Sequence, residues 1–201
     1  MYCSFPHSFS YPLTALSARY CVSVMSLYDP DLWLYMFDCK KLSMAILSST
    51  VFFDLGNTLV SRIDDQHLLY SDAPETLKAL HDRGYSIGVL SNLEGDITVD
   101  DVYLFLKECG IASYIDYDLI TISCELPGNI RKPDKRIFDL ALKKSGLLKA
   151  GDESIFVTEE MEHIIAARSY GWRAIMKRNM GECRPEDGEC VTSLSGLLEL
   201  L

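Results

Sequence analysis

The sequence predicts an α/β fold, a doubly wound, five-stranded parallel sheet with helices on both faces. Three observations carry this reading. From Thr50 onward, short β-rich apolar runs alternate with helical patterns at regular spacing. Four of the helical patterns stop at a glycine: Gly84, Gly110, Gly146 and Gly171. The first run, Val51-Phe52-Phe53, is apolar without alternation, as in a strand buried on both faces.

The elements follow in order. After the first strand, a helix is expected over 73–83, with Asp72 as its N-cap, Glu75 in its first turn, and Leu77 and Leu80 facing the core. Residues 85–90 read as the second strand. Thr98 can cap a helix that carries Val99, Val102, Tyr103 and Leu106 at i, i+3, i+4 and i+7. A third strand is expected over 117–122, and the helix over 134–145 presents Ile137, Leu140 and Ala141. The fourth strand spans 154–157, a helix 160–170, and the fifth strand 172–176, with Trp172 in the core. A last helix over 193–201 carries Leu194, Leu197, Leu198 and Leu201. Right-handed crossovers between such strands give a parallel sheet.

Composition bounds the function. The 201 residues are 48% apolar and 24% charged, enough for one globular domain with a sizeable core. Net charge is −10, from 19 Lys and Arg against 29 Asp and Glu. A surface that acidic repels phosphate backbones and anionic lipid, so neither nucleic acid nor membrane is expected as a partner. No apolar run is long enough for a spanning helix. The seven cysteines form an odd number without a CxxC pair, which argues against a disulfide framework or a zinc ribbon. Free thiols in a reducing cytoplasm are expected, with Cys183 and Cys190 the pair to consider for a metal.

Composition shifts near residue 44. Residues 1–43 are rich in aromatics, contain no Glu, and balance Asp29, Asp31 and Asp38 against Arg19, Lys40 and Lys41. The whole net negative charge therefore belongs to 44–201. The first residues lack the basic start of a secretory signal, and Pro6 and Pro12 interrupt any apolar core. We expect 1–43 to be an appendage, either disordered or outside the native product, with Met44 as an internal start and 44–201 as the domain.

In doubly wound sheets, ligands bind beyond the carboxyl ends of the strands. There the sequence places Asp54 after the first strand, Ser91 and Asn92 after the second, Lys132 before the third helix, and Thr158, Glu159 and Glu160 after the fourth strand. Taken singly, each fits a turn or helix-start residue. Together they suit phosphoryl transfer. A carboxylate can attack phosphorus, a hydroxyl and an ammonium can hold the phosphoryl oxygens, and acidic oxygens can hold Mg²⁺.

With these residues in view, the sequence resembles the haloacid dehalogenase (HAD) superfamily of hydrolases, whose fold is Rossmann-like. Four stretches carry the resemblance, in order: VFFDLGNTLV (51–60), VLSN (89–92), RKPD (131–134) and IFVTEEMEHIIAARSYGWRAI (155–175). The resemblance implies Asp54 as nucleophile and magnesium ligand, with Lys132 as its catalytic partner. It also implies Thr58, Ser91, Asn92 and Lys132 as phosphate-binding residues, and the Gly56 carbonyl and Glu159 as further metal ligands. The implied activity is a Mg²⁺-dependent phosphomonoesterase that forms an aspartyl-phosphate.

Three positions depart from the family pattern. Gly56 stands where an acid/base aspartate is usual, Glu159 replaces an aspartate, and Ile164 stands at a common place for a second acid. Loss of a general acid/base typically costs about 10²–10⁴ in rate. The alternative reading is therefore a degenerate member that binds a phosphorylated ligand or a protein without turnover. His163 reads as a surface or groove residue rather than a metal ligand, and Tyr103 and Phe105 as helix packing rather than a nucleotide platform.

Neither the interval after Leu59 nor that between Ser91 and Lys132 has room for a large cap domain. An exposed site of this kind suits a phosphorylated small molecule or a phosphoprotein, or a lid lent by another subunit. The missing cap argues against dehalogenation. A receiver domain would place its phosphoacceptor after a middle strand, and DLGNT is not the GxGxxG of a dinucleotide site.

Overall fold

The computed structural model describes residues 49–63, 66–151 and 153–201. The appendage expected over 1–43 lies outside the described residues, as does Met44. The described residues begin with β1 (Thr50–Phe53), a hairpin of β2 (Val60–Ile63) and β3 (Gln66–Leu69), then α1 (Ala73–Asp82), β4 (Ser86–Ser91) and α2 (Val99–Glu108). It continues through β5 (Ile120–Ile122), α3 (Lys135–Ser145), β6 (Ser154–Thr158) and α4 (Met161–Ser169). β7 (Arg173–Lys177), β8 (Cys190–Val191) and α5 (Leu197–Leu200) complete it.

The main sheet has six parallel strands in the order β5-β4-β1-β6-β7-β8. The sixth strand, β8, was not expected. It is only two residues long and pairs Cys190 and Val191 with the end of β7. A second difference is the antiparallel hairpin β2–β3, in the interval after Leu59 that the sequence leaves without structure. The chain builds β1, β4 and β5 to one side, then crosses by α3 to build β6, β7 and β8 on the other. β1 thus sits at the point where the winding reverses, where such sheets bind ligands.

The period-two alternation of the strands divides the core. Val51, Phe53, Ile87, Val89, Ile155, Val157 and Ile175 pack on one face with Leu77 and Leu80 of α1, Val102 and Leu106 of α2, and Leu194 and Leu197. Phe52, Leu90, Phe156, Ala174 and Met176 pack on the other, against Ile137 and Phe138 of α3 and Ile164 and Ala167 of α4. Trp172 joins this second cluster, edge-on to Phe52 and Phe138 with ring centroids 5.5 and 5.7 Å away.

Several local expectations are corrected. Residues 117–119 form a 3₁₀ turn, so the third strand shortens to Ile120–Ile122. Phe138, not Leu140, fills the core from α3, because Leu140 turns partly outward. Thr98 caps α2 as expected, in a reciprocal capping box with Asp101. Asp72 does not cap α1 with its side chain; it accepts a hydrogen bond from the Ser195 N–H, 3.1 Å away, near the start of the C-terminal turn. The last helix is reduced to Leu197–Leu200. Cys183 and Cys190 are neither free nor a metal pair. They form a disulfide that closes the loop after β7 onto β8.

Candidate functional site

Asp54 lies one residue beyond β1, and its N–H donates to the Val157 carbonyl of β6 at 3.0 Å. The central strand therefore fixes its backbone. The residue is 7% exposed, and its side chain meets four donors. Oδ1 accepts from the Leu55 N–H and the Ser91 hydroxyl, each at 2.9 Å. Oδ2 accepts from the Thr158 hydroxyl at 3.2 Å and lies 2.6 Å from Lys132 Nζ. Burial alone would push this carboxyl up. The Lys132 charge and the hydrogen bonds, that of Ser91 among them, more than reverse it and hold it well below the usual carboxylate range. Asp54 is therefore ionised at neutral pH.

Lys132 is equally enclosed, at 4% exposure. Its Nζ also donates to the Leu90 carbonyl at 2.8 Å and stands over the Phe156 ring. Burial pulls this ammonium below its ordinary range, and the Asp54 charge opposes the change. The loop that carries Lys132 is tied to β4 by Asn92. The Asn92 Oδ1 accepts from the Lys132 N–H at 2.7 Å, and its Nδ2 donates to the Lys132 carbonyl at 3.0 Å. Asn92 thus lines the cleft and also sets the backbone of its lysine.

A polar cleft of about 410 Å³ opens over Asp54. Gly56, Asn57, Ser91, Asn92, Lys132, Glu159 and Glu160 line it, with Arg131 at the rim in an ion pair to Glu94 at 3.0 Å. Thr58, expected among the phosphate-binding residues, stands behind this wall. It is fully buried, and its hydroxyl donates to Glu159 Oε2 at 2.9 Å. Thr58 therefore orients a cleft carboxylate and is not itself on the cleft surface. Burial pushes the Glu159 carboxyl above its usual range and the nearby Asp54 charge adds to this, against the pull of hydrogen bonds that include Thr58.

Ile164 is in the core, fully buried against the sheet with Ala167 one turn on. The side chain that α4 turns toward Asp54 belongs to His163, 5% exposed, with Nδ1 3.8 Å from Asp54 Oδ2. That is too long for a hydrogen bond. Of the surface or groove position expected for His163, the structure supports the groove: the residue lines the cleft and is buried.

The loop between Asp54 and Thr58 is clamped from below. Lys177, at the end of β7 and 2% exposed, donates to the Asn57 carbonyl at 3.3 Å and to Asn179 Oδ1. Its Nζ also lies 3.6 Å from the Tyr70 ring centroid. Asn179 Nδ2 donates to the same Asn57 carbonyl at 2.7 Å. Asn57 has a φ of 52°, and two donors on its carbonyl hold it in that left-handed conformation.

Among the described residues, no three acidic, histidine or cysteine side chains converge as a ready-made metal cage. The donors on the cleft nevertheless suit a divalent cation. Asp54, Gly56 and Glu159 bring hard oxygens to one opening, and His163 Nδ1 is buried without a hydrogen-bond partner.

Fold and site together define a doubly wound α/β protein with an ionised, lysine-paired carboxylate at the reversal point of its sheet. Residues 50–171 match the family model of haloacid dehalogenase-like hydrolases, and the chain belongs to that family. It is 27% identical over 82% of its length to the (S)-2-haloacid dehalogenase of Pseudomonas sp. (strain YL), and spans 66% of that enzyme. An uncharacterized protein from Listeria monocytogenes serotype 4b superposes with a TM-score of 0.63 at 26% identity, over 77% of this chain and 96% of that one. A predicted phosphoglycolate phosphatase from Haemophilus somnus 129pt gives a TM-score of 0.61 over 76% of this chain and 97% of that one. At 16% identity, it speaks for the fold alone.

Proposed function

We propose that this hydrolase is a Mg²⁺-dependent phosphomonoesterase that works through an aspartyl-phosphate at Asp54. The observation that carries the reading is the Asp54 carboxylate, ionised and held by Lys132, Ser91 and the Leu55 N–H at the floor of a polar cleft. In the first step, an Asp54 oxygen attacks phosphorus, the bond to the ester oxygen breaks, and the leaving alcohol takes a proton. Lys132 and the Ser91 hydroxyl neutralise and bind the phosphoryl oxygens. In the second step, water attacks phosphorus, releases inorganic phosphate and restores the carboxylate.

Asp54, the Gly56 carbonyl and Glu159 would hold Mg²⁺, with Thr58 aiming Glu159. When bound, the ion adds positive charge where the phosphoryl group gains negative charge. Gly56 has no side chain to protonate the alcohol, so the proton must come from another group on the cleft or from solvent. That favours substrates with good leaving groups.

The intervals that could carry a cap hold only a short hairpin, α2, brief turns and β5 among the described residues. The cleft is therefore suited to a phosphorylated small molecule or a phosphoprotein. The dehalogenase relative leaves a second chemistry to test, because a carboxylate that attacks phosphorus can also attack a halogenated carbon.

The test is phosphate release from a phosphomonoester panel with Mg²⁺ or EDTA, with halide release from 2-haloacids measured alongside. Mg²⁺-dependent phosphate release that falls by about 10³-fold or more in Asp54→Asn is the expected outcome. Halide release alone would move the assignment to dehalogenation. Ligand binding without turnover would make the protein a non-catalytic phosphate-binding member.

A further inference from the structure

The charges on the cleft are balanced at its floor and unbalanced at its rim. On the floor, Lys132 stands 2.6 Å from Asp54. At the rim, Arg131 is paired with Glu94 at 3.0 Å. Glu160, at the N-cap of α4, and Glu162, in its first turn, line the same cleft and are exposed. Among the described residues, no lysine or arginine forms an ion pair with either carboxylate; Glu160 Oε2 lies 3.8 Å from His163 Nε2. A substrate with a second anionic group therefore meets repulsion at this rim, and the net charge of −10 adds to it.

His163 is an independent sign that this side of the cleft takes a ligand. The residue is 5% exposed and lines the cleft, and its Nδ1 has no hydrogen-bond partner among the described residues. The ring stands within ion-pair range of Asp54 Oδ2 and Glu160 Oε2, 3.8 Å from each and too far to hydrogen-bond to either. One imidazole facing two carboxylates cannot offset both. The two carboxylate oxygens are separated by this ring and its two gaps, at most about 10 Å. A phosphorus about 3–3.5 Å from the attacking oxygen and an ammonium about 2.8 Å from Glu160 leave roughly 4 Å between them. That is the reach of a two- or three-carbon amino alcohol.

Resting on the reading of this cleft as a phosphomonoesterase site, we infer that Glu160 and Glu162 select a substrate whose alcohol carries an ammonium group, a phosphomonoester of a short amino alcohol. The phosphoryl group lies on Lys132 and Ser91, the ammonium on the acidic rim, and the ester between them runs past His163 Nδ1. The same two carboxylates reject esters whose alcohol carries a carboxylate or a second phosphate, because they set like charge against it.

The test compares three small esters on the full-length protein with Mg²⁺: phosphoethanolamine, its neutral isostere propyl phosphate, and phosphoglycolate. Wild type is expected to show a kcat/KM for phosphoethanolamine about five-fold or more above propyl phosphate, with phosphoglycolate the poorest. The ammonium also makes its alcohol a better leaving group, so the decisive reading is the change in this ratio in Glu160→Gln/Glu162→Gln. There the ratio should fall by about five-fold, and the wild-type ratio alone should shrink at high salt. A ratio cancels any loss common to both esters, so partial misfolding of the variant does not mimic the result. An unchanged ratio, or a wild-type preference for phosphoglycolate, would overturn the inference. So would an equal loss on all three esters with a raised Mg²⁺ requirement, which would place these carboxylates at the metal. If wild type releases phosphate from none of the three, the phosphomonoesterase reading fails, and their dissociation constants by calorimetry then judge the rim separately. Tighter binding of phosphoethanolamine would support the selectivity, and equal or weaker binding would overturn it.

Discussion

Lys177 shows how a single buried charge can stabilise a loop and still burden the fold. Its two donated hydrogen bonds hold the Asn57 carbonyl and Asn179, yet burial lowers its pKa from the ordinary 10.5 to about 8, with the charges of Asp72 and Glu159 opposing. Between pH 8 and 10.5 the unfolded chain binds more protons than the folded one, so stability must rise with pH across that window. The difference between the two values is worth at most about 3 kcal/mol. In urea titrations at pH 7.5 and pH 10, Lys177→Met should show a smaller pH-dependent gain than wild type. An equal gain in both would show that Lys177 does not titrate in this range. At the same scale, the gathering of Asp54, Ser91, Asn92 and Lys132 on one cleft was legible because each stands at a strand end or loop start with a matching motif. The burial of His163 beside Asp54 was not. Choosing between residues 163 and 164 is a choice between neighbours about 100° apart on a helix, and the sequence leaves that rotation open.

Among the elements, β4 makes the tightest local demand. A Cβ at Gly88 would lie 2.8 Å from the Leu119 carbonyl oxygen, 2.8 Å from the Leu119 Cβ and 2.8 Å from a Phe52 ring carbon. Phe52 and Leu119 belong to the packed second cluster, and a backbone oxygen cannot swing aside. Gly88→Ala should therefore lower the urea midpoint by the equivalent of about 1–3 kcal/mol. A neutral result would mean that β4 and the 117–119 turn can separate at little cost. The same contact accounts for the shortened third strand. Asp116 N–H donates to the Ile87 carbonyl at 2.8 Å, and the chain then turns through 117–119 before it joins β4 as β5. The helices were easier to read. Thr98 with Asp101, and the glycines after α1, α2, α3 and α4, are local signals that act within a few residues.

At the scale of the whole molecule, the C-terminal segment closes the first face of the sheet. Leu194 and Leu197 are fully buried in the cluster that contains Leu77 and Leu80. Arg83 donates to the Leu198 carbonyl at 2.7 Å, and Tyr85 to the Leu201 carbonyl at 2.8 Å. Each buried leucine contributes about 1.5–3 kcal/mol, a large part of the net stability of an ordinary domain. A chain ending at Ser193 should therefore lose most of its cooperative urea transition, read by Trp fluorescence. An unchanged midpoint would show that the sheet is stable without this cover. Among the described residues, no helix is long and apolar enough to cross a membrane. The sheet edges are short, three residues in β5 and two in β8, which limits edge-to-edge pairing between copies.

By itself, the sequence determined the alternation of strands and helices, the glycines that stop α1 to α4, and the set of chemical groups gathered along one edge of the sheet. Those features are written in signals that span a few residues: a period of two or 3.6, a cap, a glycine, a residue just past a strand. The tertiary structure decided what each of those groups touches. It paired Lys132 with Asp54, turned Thr58 away from the cleft and onto Glu159, and joined Cys183 to Cys190. It also brought His163 to Asp54 in place of Ile164. Such contacts depend on distances between segments far apart in the chain, and those distances are set only when both faces of the sheet are packed.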